Sequence, residues 1–197
     1  MPNWCSNYIE ITGNRKGLSQ IKEILESNPN GSMFELLVGK YADGQTEEEY
    51  QQTWYESNCG RWGCKWDVEI DLGTINFFKD SAITFGIQTA WSPCNYFLRL
   101  LHSKYGVFVK NEYSEQGNDF AGIYEIDEDG EQDDCYNYLE GLYHTDYDYF
   151  LCEVQNQIEY LMDDDEIPSV DEWLNEFTYV SQDTLVELQE MFILETS

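Results

Sequence analysis

The chain contains no Lys or Arg after Lys110, although it runs on to Ser197. All 10 basic residues lie in residues 1–110 with 13 of the 39 acidic ones, and residues 111–197 hold the other 26. The formal charge of −29 thus divides into −3 and −26 across these two stretches. Gripping a phosphate backbone requires cations, so direct nucleic-acid binding is not expected. A surface of this sign repels anionic membranes and attracts basic proteins from a distance.

Other absences narrow the field further. No apolar run approaches the roughly 18 residues that a membrane span needs. No secretory signal precedes "MPNWCSNYIEITG", which reads directly as a strand. The expectation is a cytoplasmic protein of the host cell cytosol, off the membrane, with Cys5, Cys59, Cys64, Cys94, Cys135 and Cys152 as reduced thiols. Two histidines, no glycine-rich phosphate loop and no nucleophile motif leave no catalytic constellation, and carboxylates are too abundant for any one pair to stand out. We therefore expect no enzyme, no catalytic residues and no cofactor.

Metal chemistry has little support. Cys59 and Cys64 have a spacing that suits two zinc ligands, but a structural site needs four, and Cys94 with His102 completes no recognised pattern. Glu125, Asp127, Asp129, Gly130 and Asp133 follow part of an EF-hand loop. Its first position calls for Asp and its last for a bidentate Glu, where Tyr136 stands. The stretch reads instead as a strand ending in an Asp-Gly turn.

What is present argues for a folded chain throughout. Hydrophobic residues make up 42% and aromatics 16%, whereas disordered acidic tails are poor in aromatics. "CSNYIEITG" alternates like a half-buried strand, and "RKGLSQIKEILES" repeats its apolar residues at helical spacing. Residues 39–65 form an excursion with a short helix around "TEEEYQQTWYES". "KWDVEIDLG" and "AITFGIQTA" read as strands and "PCNYFLRLLHSKY" as a helix, followed by a hairpin turning at Gly117-Asn118. This order is a split βαβ arrangement, an α+β ferredoxin-like core with an antiparallel or mixed sheet and two helices on one face. From Asp127 onward "YDYFLCEVQNQIEYLM", "IPSVDEWLNEF" and "SQDTLVELQEMFIL" predict an acidic helical extension, capped at Ser169 and at Ser181 or Asp183. Phe150, Leu151, Val154, Trp173, Leu174 and Phe177 need burial, so the extension should pack on the core.

Four stretches, "MPNWCSN", "GRWGCKWD", "TAWSPC" and "YSEQGNDFAG", together resemble a family of phage- and plasmid-encoded proteins labelled YubB-like or Api-like. The resemblance covers residues 1–126. It implies a ferredoxin-like fold and an accessory role in a mobile element, and it supplies no catalytic residues. Cys64 and Cys94 fall where that family more often has other residues, so neither is expected to carry a shared function.

Two functional readings follow. Trp4, Trp54, Trp62, Trp66 and Trp91 lie in the first half, and a ferredoxin-like sheet with exposed aromatics can stack single-stranded bases. Arg61 and Lys65 flank Trp62, yet few other cations accompany them, and core packing of Trp62 and Trp66 is the expectation. The second reading starts from the acidic half. A folded segment without one cation incurs self-repulsion, which a function requiring a negative surface would explain. Carboxylates on rigid elements can imitate the charge array of duplex DNA. The expected partner is a basic nucleic-acid-binding host protein, such as a defence nuclease or effector complex. The expected contacts are Glu125, Asp127, Glu128, Asp129, Glu131, Asp133, Asp134, Asp146, Asp148, Asp163, Asp164, Asp165 and Glu166. Tyr136, Tyr138, Tyr147 and Tyr149 would add anchors.

Overall fold

A computed structural model describes residues 3–79, 81–162 and 168–196. The protein is α+β, and its described residues form a six-stranded antiparallel sheet ordered β2 (Ile75–Phe78), β3 (Ala82–Ala90), β1 (Trp4–Gly13), β4 (Val107–Glu115), β5 (Phe120–Ile126), β6 (Glu131–Tyr136). Strand β1 (Trp4–Gly13) buries Cys5, Asn7, Ile9 and Ile11 on one face, which is the alternation its sequence displays. Helix α1 (Arg15–Ser27) starts at Asn14, whose side chain accepts from the Lys16 N–H, and it buries Leu18, Ile21 and Leu25. Gly17 lets α1 approach the C-terminal end of the helix at Asn95–Tyr105 closely, since a Cβ there would lie 2.3 Å from the Tyr105 carbonyl oxygen.

The excursion is more ordered than its composition suggests. A short helix α2 (Met33–Val38) precedes α3 (Glu47–Trp62), which opens with a capping box between Thr46 and Glu49 and kinks at Thr53. The strand expected at "KWDVEIDLG" does not form. Asp67 instead accepts the free N–H groups of Phe34 and Glu35 at 2.7 and 2.8 Å, tying this segment to the start of α2. Only the Ser32–Glu69 bridge pairs there, and the edge strand β2 (Ile75–Phe78) follows later.

Strand β3 (Ala82–Ala90), helix α4 (Asn95–Tyr105) and strand β4 (Val107–Glu115) complete the ferredoxin-like unit, in which β1 lies between β3 and β4. The hairpin from β4 to β5 (Phe120–Ile126) turns through a 3-10 segment at Gln116–Asn118, and the Glu115 carboxylate accepts from the Gly117 and Asn118 N–H groups.

Past Ile126 the sheet continues for one more strand, which the sequence did not reveal. Strand β6 (Glu131–Tyr136) pairs with β5, and the helices begin only at α5 (Tyr138–Thr145). Helices α6 (Tyr147–Met162), α7 (Val170–Leu174) and α8 (Gln182–Glu195) follow, with Ser169 capping α7 and Ser181 capping α8. Together with α5 and the segment after α7 they build a second apolar core from Tyr138, Leu142, Phe150, Val154, Ile158, Trp173, Phe177, Leu188 and Phe192, and Ala121 of β5 belongs to it. Gly141 permits that contact, because a Cβ on it would stand 2.4 Å from the Ala121 Cβ.

Candidate functional site

The structure disperses the expected carboxylates into distinct settings. The turn between β5 and β6 is closed by Asp127, whose side chain accepts from the Asp129 and Gly130 N–H groups at 2.8 and 3.2 Å. This is the Asp-Gly turn, and Glu128 and Asp129 stand exposed at its tip. Glu125 is exposed on β5 beside Lys110 and Gln132. Asp134 is half-buried and accepts from Gln132.

Glu131 and Asp133 have partners within the chain. Glu131 takes Arg99 and, at 2.9 Å, the Tyr124 hydroxyl. The Arg99 bond, with Tyr124 adding to it, holds the Glu131 carboxyl below its usual range. Asp133 accepts from the Tyr113 hydroxyl at 2.7 Å and from the Asn95 amide at 3.2 Å. Both side chains lie on the helix-bearing face of the sheet, in register with Ile126 and Tyr124, so they stitch β6 to α4 and β4.

Among the tyrosines, Tyr138 is 7% exposed and part of the second apolar core. It also forms part of the wall of a cleft between α5 and α6. Tyr136 is half-buried against His144 at 5.0 Å, and the Tyr147 hydroxyl donates to Glu187 at 2.6 Å. Tyr149 and Asp148 remain exposed, and Asp146 accepts from the Tyr149 N–H. Asp163, Asp164, Asp165 and Glu166 lie outside the described residues.

A site that sequence reading missed lies between α5, α6 and the segment after α7. It is a cleft of about 730 Å³ whose walls include Tyr160, Trp173 and Tyr179, and whose polar groups include Asp119, Glu140, Glu153 and Glu176. Burial, then the neighbouring Glu140, Asp119 and Glu176 carboxylates, push the Tyr179 phenol up to about 12. Three carboxylates therefore bear on one hydroxyl. Two acids have local roles: Asp119 accepts from the Tyr138 N–H at 3.1 Å, and Glu153 accepts from Gln116 at 3.1 Å. No Lys or Arg lines the cleft. Its acids are scattered from Asp119 to Glu176, so no local motif announces them. The available signal was the missing cation, which concerns the whole half and not these positions.

No protein-family profile matches the chain, and no curated protein matches it. One solved structure is similar in shape: the crystal structure of protein api92 from Yersinia pseudotuberculosis, of family DUF1281. The identity is 10%, the match covers 70% of this chain and 98% of that one, and the TM-score is 0.41. At that score the likeness carries no argument about function.

The four stretches singled out in the sequence meet at one end of the sheet. Asn7 donates to Thr89 Oγ1 at 2.8 Å, Thr89 donates to the Ser92 carbonyl at 2.7 Å, and Ser92 donates to the Gly63 carbonyl at 2.6 Å. The Trp91 N–H donates to the Asn3 carbonyl at 3.0 Å. A Cβ on Gly117 would lie 2.5 Å from the Asn3 amide nitrogen. These groups are consumed by one another and fix the backbone. Trp62 is buried as expected, but Trp66 is not: it lies 37% exposed, 6.3 Å from Trp4 and beneath the Lys65 ammonium. Cys5, Cys64 and Cys94 are fully buried, and burial raises all three thiols. Among the described residues no group of three His, Cys, Asp or Glu side chains is placed to hold a metal ion, and no helix is long and apolar enough to cross a membrane.

Proposed function

We propose that this chain is a non-enzymatic binding protein of a mobile element that docks its acidic half onto a basic, nucleic-acid-handling host protein. Occupying that protein's cationic channel blocks it by nucleic-acid mimicry, as an inhibitor of a defence nuclease or CRISPR effector would. The observation that carries this reading is the aromatic-walled cleft, in which Asp119, Glu140, Glu153 and Glu176 gather in a half without a single Lys or Arg. The exposed Glu125, Glu128, Asp129, Asp146 and Asp148 extend the same field across the surface. Their cost in self-repulsion is offset when cations of a partner arrive, and such a field speeds encounter in a salt-dependent way. Glu131 and Asp133 add to this field while tied to Arg99, Tyr113, Tyr124 and Asn95, and Tyr138 contributes to the wall of the cleft.

The test is capture from host lysate with the full-length chain, identification of the bound protein by mass spectrometry, and competition. The chain should displace DNA or RNA from the captured protein, and added salt should weaken its binding. A captured protein that has no nucleic-acid site, or one that binds nucleic acid and this chain together, would refute mimicry.

A further inference from the structure

The sheet has a second face, opposite α1 and α4, which the acidic half covers only at one side. Register places its side chains in rows. Trp4 pairs with Ala90, Ser6 with Gln88 and Ser114, Tyr8 with Gly86 and Glu112, and Glu10 with Thr84 and Lys110. Helix α5 sits on the Ala121 side of this face. Along β1 the face is open at Trp4, Ser6 and Tyr8, with Trp4 and Tyr8 52% and 53% exposed; on β3, Gly86 and Gln88 are exposed while Thr84 and Ala90 are buried. The neighbours Ser6, Gly86 and Ala90 are small, so no bulky side chain beside them covers either ring.

An uncovered aromatic sheet is the form of a base-stacking platform, but its charges have the wrong sign for phosphate. Glu10, Glu112, Glu125 and Asp134 point to this face by register, against Lys110 alone, which already pairs with Glu112 at 2.7 Å. At the Trp4 end a cleft of about 420 Å³ is bounded by Trp4, Gln88, Val68, Asp67 and Glu69. Beside it, the Lys65 ammonium sits 4.4 Å from the centre of the Trp66 ring, a cation–π contact the chain makes for itself.

We infer that this face binds an extended, basic polypeptide segment of a partner, with Arg or Lys side chains seated on Trp4 and Tyr8. Charge complementarity selects the occupant: aromatic rings bordered by carboxylates favour guanidinium and ammonium groups and repel a phosphate backbone. The spacing selects its conformation. Trp4 and Tyr8 are four residues apart on one strand, about 13 Å at the rise of a β-strand. Cations four residues apart on an extended chain match that interval. The surface shares no residue with the cleft in the acidic half, so either site can fail without the other.

The experiment uses the full-length chain labelled with nitrogen-15 and a nine-residue peptide alternating Arg and Thr, at near-physiological salt, with nine-nucleotide oligo(dT) as the second probe. The peptide should shift the amides of Trp4, Ser6, Tyr8, Gly86 and Gln88 and the indole N–H of Trp4. Trp4→Ala with Tyr8→Ala should weaken it at least tenfold, with the amide spectrum of the helices unchanged. If that variant does not fold, Glu10→Lys with Glu112→Lys should produce the same loss from the floor of the face. Shifts confined to α5–α8, unchanged affinity in the folded variants, or oligo(dT) moving the same amides would each overturn the inference.

Discussion

Replacing Gly141 by Ala separates two effects of opposite sign. Inside a helix the substitution is favourable by about 1 kcal/mol, because Gly loses more backbone freedom than Ala on folding. Gly141 lies in α5, so propensity alone predicts a gain. The contact with β5 predicts a loss. The new methyl would stand 2.4 Å from the Ala121 Cβ, and 2.8 and 2.9 Å from the backbone carbon and oxygen of the same residue. Carbon atoms settle at about 3.5–4.0 Å, so α5 must retreat by more than 1 Å from a strand held on both sides by its neighbours. Overpacking of this kind costs about 1–3 kcal/mol, which exceeds the propensity gain over most of its range. The net expectation is a loss of about 1 kcal/mol, and Val in place of Ala should cost more. Thermal and urea unfolding of the full chain read it out, and a chain of this size loses about 2–4 °C in Tm per kcal/mol. A Tm that rises for Gly141→Ala would show that α5 does not lie on β5 as described, and the docking of the acidic half would need another basis.

Two further outcomes follow from the same structure. Asp67→Ala removes the acceptor for the N–H groups of Phe34, Glu35 and Val68, at 2.7, 2.8 and 2.7 Å, and should cost about 2 kcal/mol in urea unfolding, with Asn less harmful; a neutral Asp67→Ala would restore the reading of 65–73 as a strand. Burial raises the phenols of Tyr113, Tyr124, Tyr138 and Tyr179, the last to about 12, against an unfolded value of about 10. Because the unfolded chain then releases protons first, stability should be full below about pH 10 and fall as pH rises toward the folded values. Tyrosinate absorbance should therefore rise together with unfolding, and a set of phenols that all titrate near their ordinary value in an intact fold would contradict it.

How far sequence could reach depended on whether an element advertises its own period. Cys5, Asn7, Ile9 and Ile11 alternate on β1, and Leu18, Ile21 and Leu25 repeat on α1, so the ferredoxin-like unit was legible. Strand β6 was not, because "EQDDCY" has no apolar alternation; it forms because β5 offers an edge and because Glu131 and Asp133 find Arg99, Tyr113 and Asn95 across it. The stretch from Lys65 to Gly73 misled in the other direction. Val68 and Ile70 alternate like a strand, but Asp67 is more useful to the open end of α2 than any ladder would be. At the acidic half, charge imbalance was plain while its focus was hidden. Glu125, Glu128 and Asp129 are exposed where they were expected. The cleft draws Asp119, Glu140, Glu153 and Glu176 from a turn, two helices and a loop, and only the packing of α5 and α6 brings them together.

Reversing charge in that cleft tests the central claim most directly. Glu140→Lys with Glu176→Lys should leave the fold intact, since it relieves like-charge crowding around Tyr179. Each exposed pair is worth about 1 kcal/mol or less, and reversal adds repulsion of similar size. Together the two should weaken binding of the captured host protein by about 2 kcal/mol or more, roughly 30-fold. Equilibrium binding of the wild type and the double variant to that protein decides the matter. The account predicts at least that loss, with displacement of nucleic acid abolished in parallel; undiminished affinity and displacement in a folded double variant would contradict it.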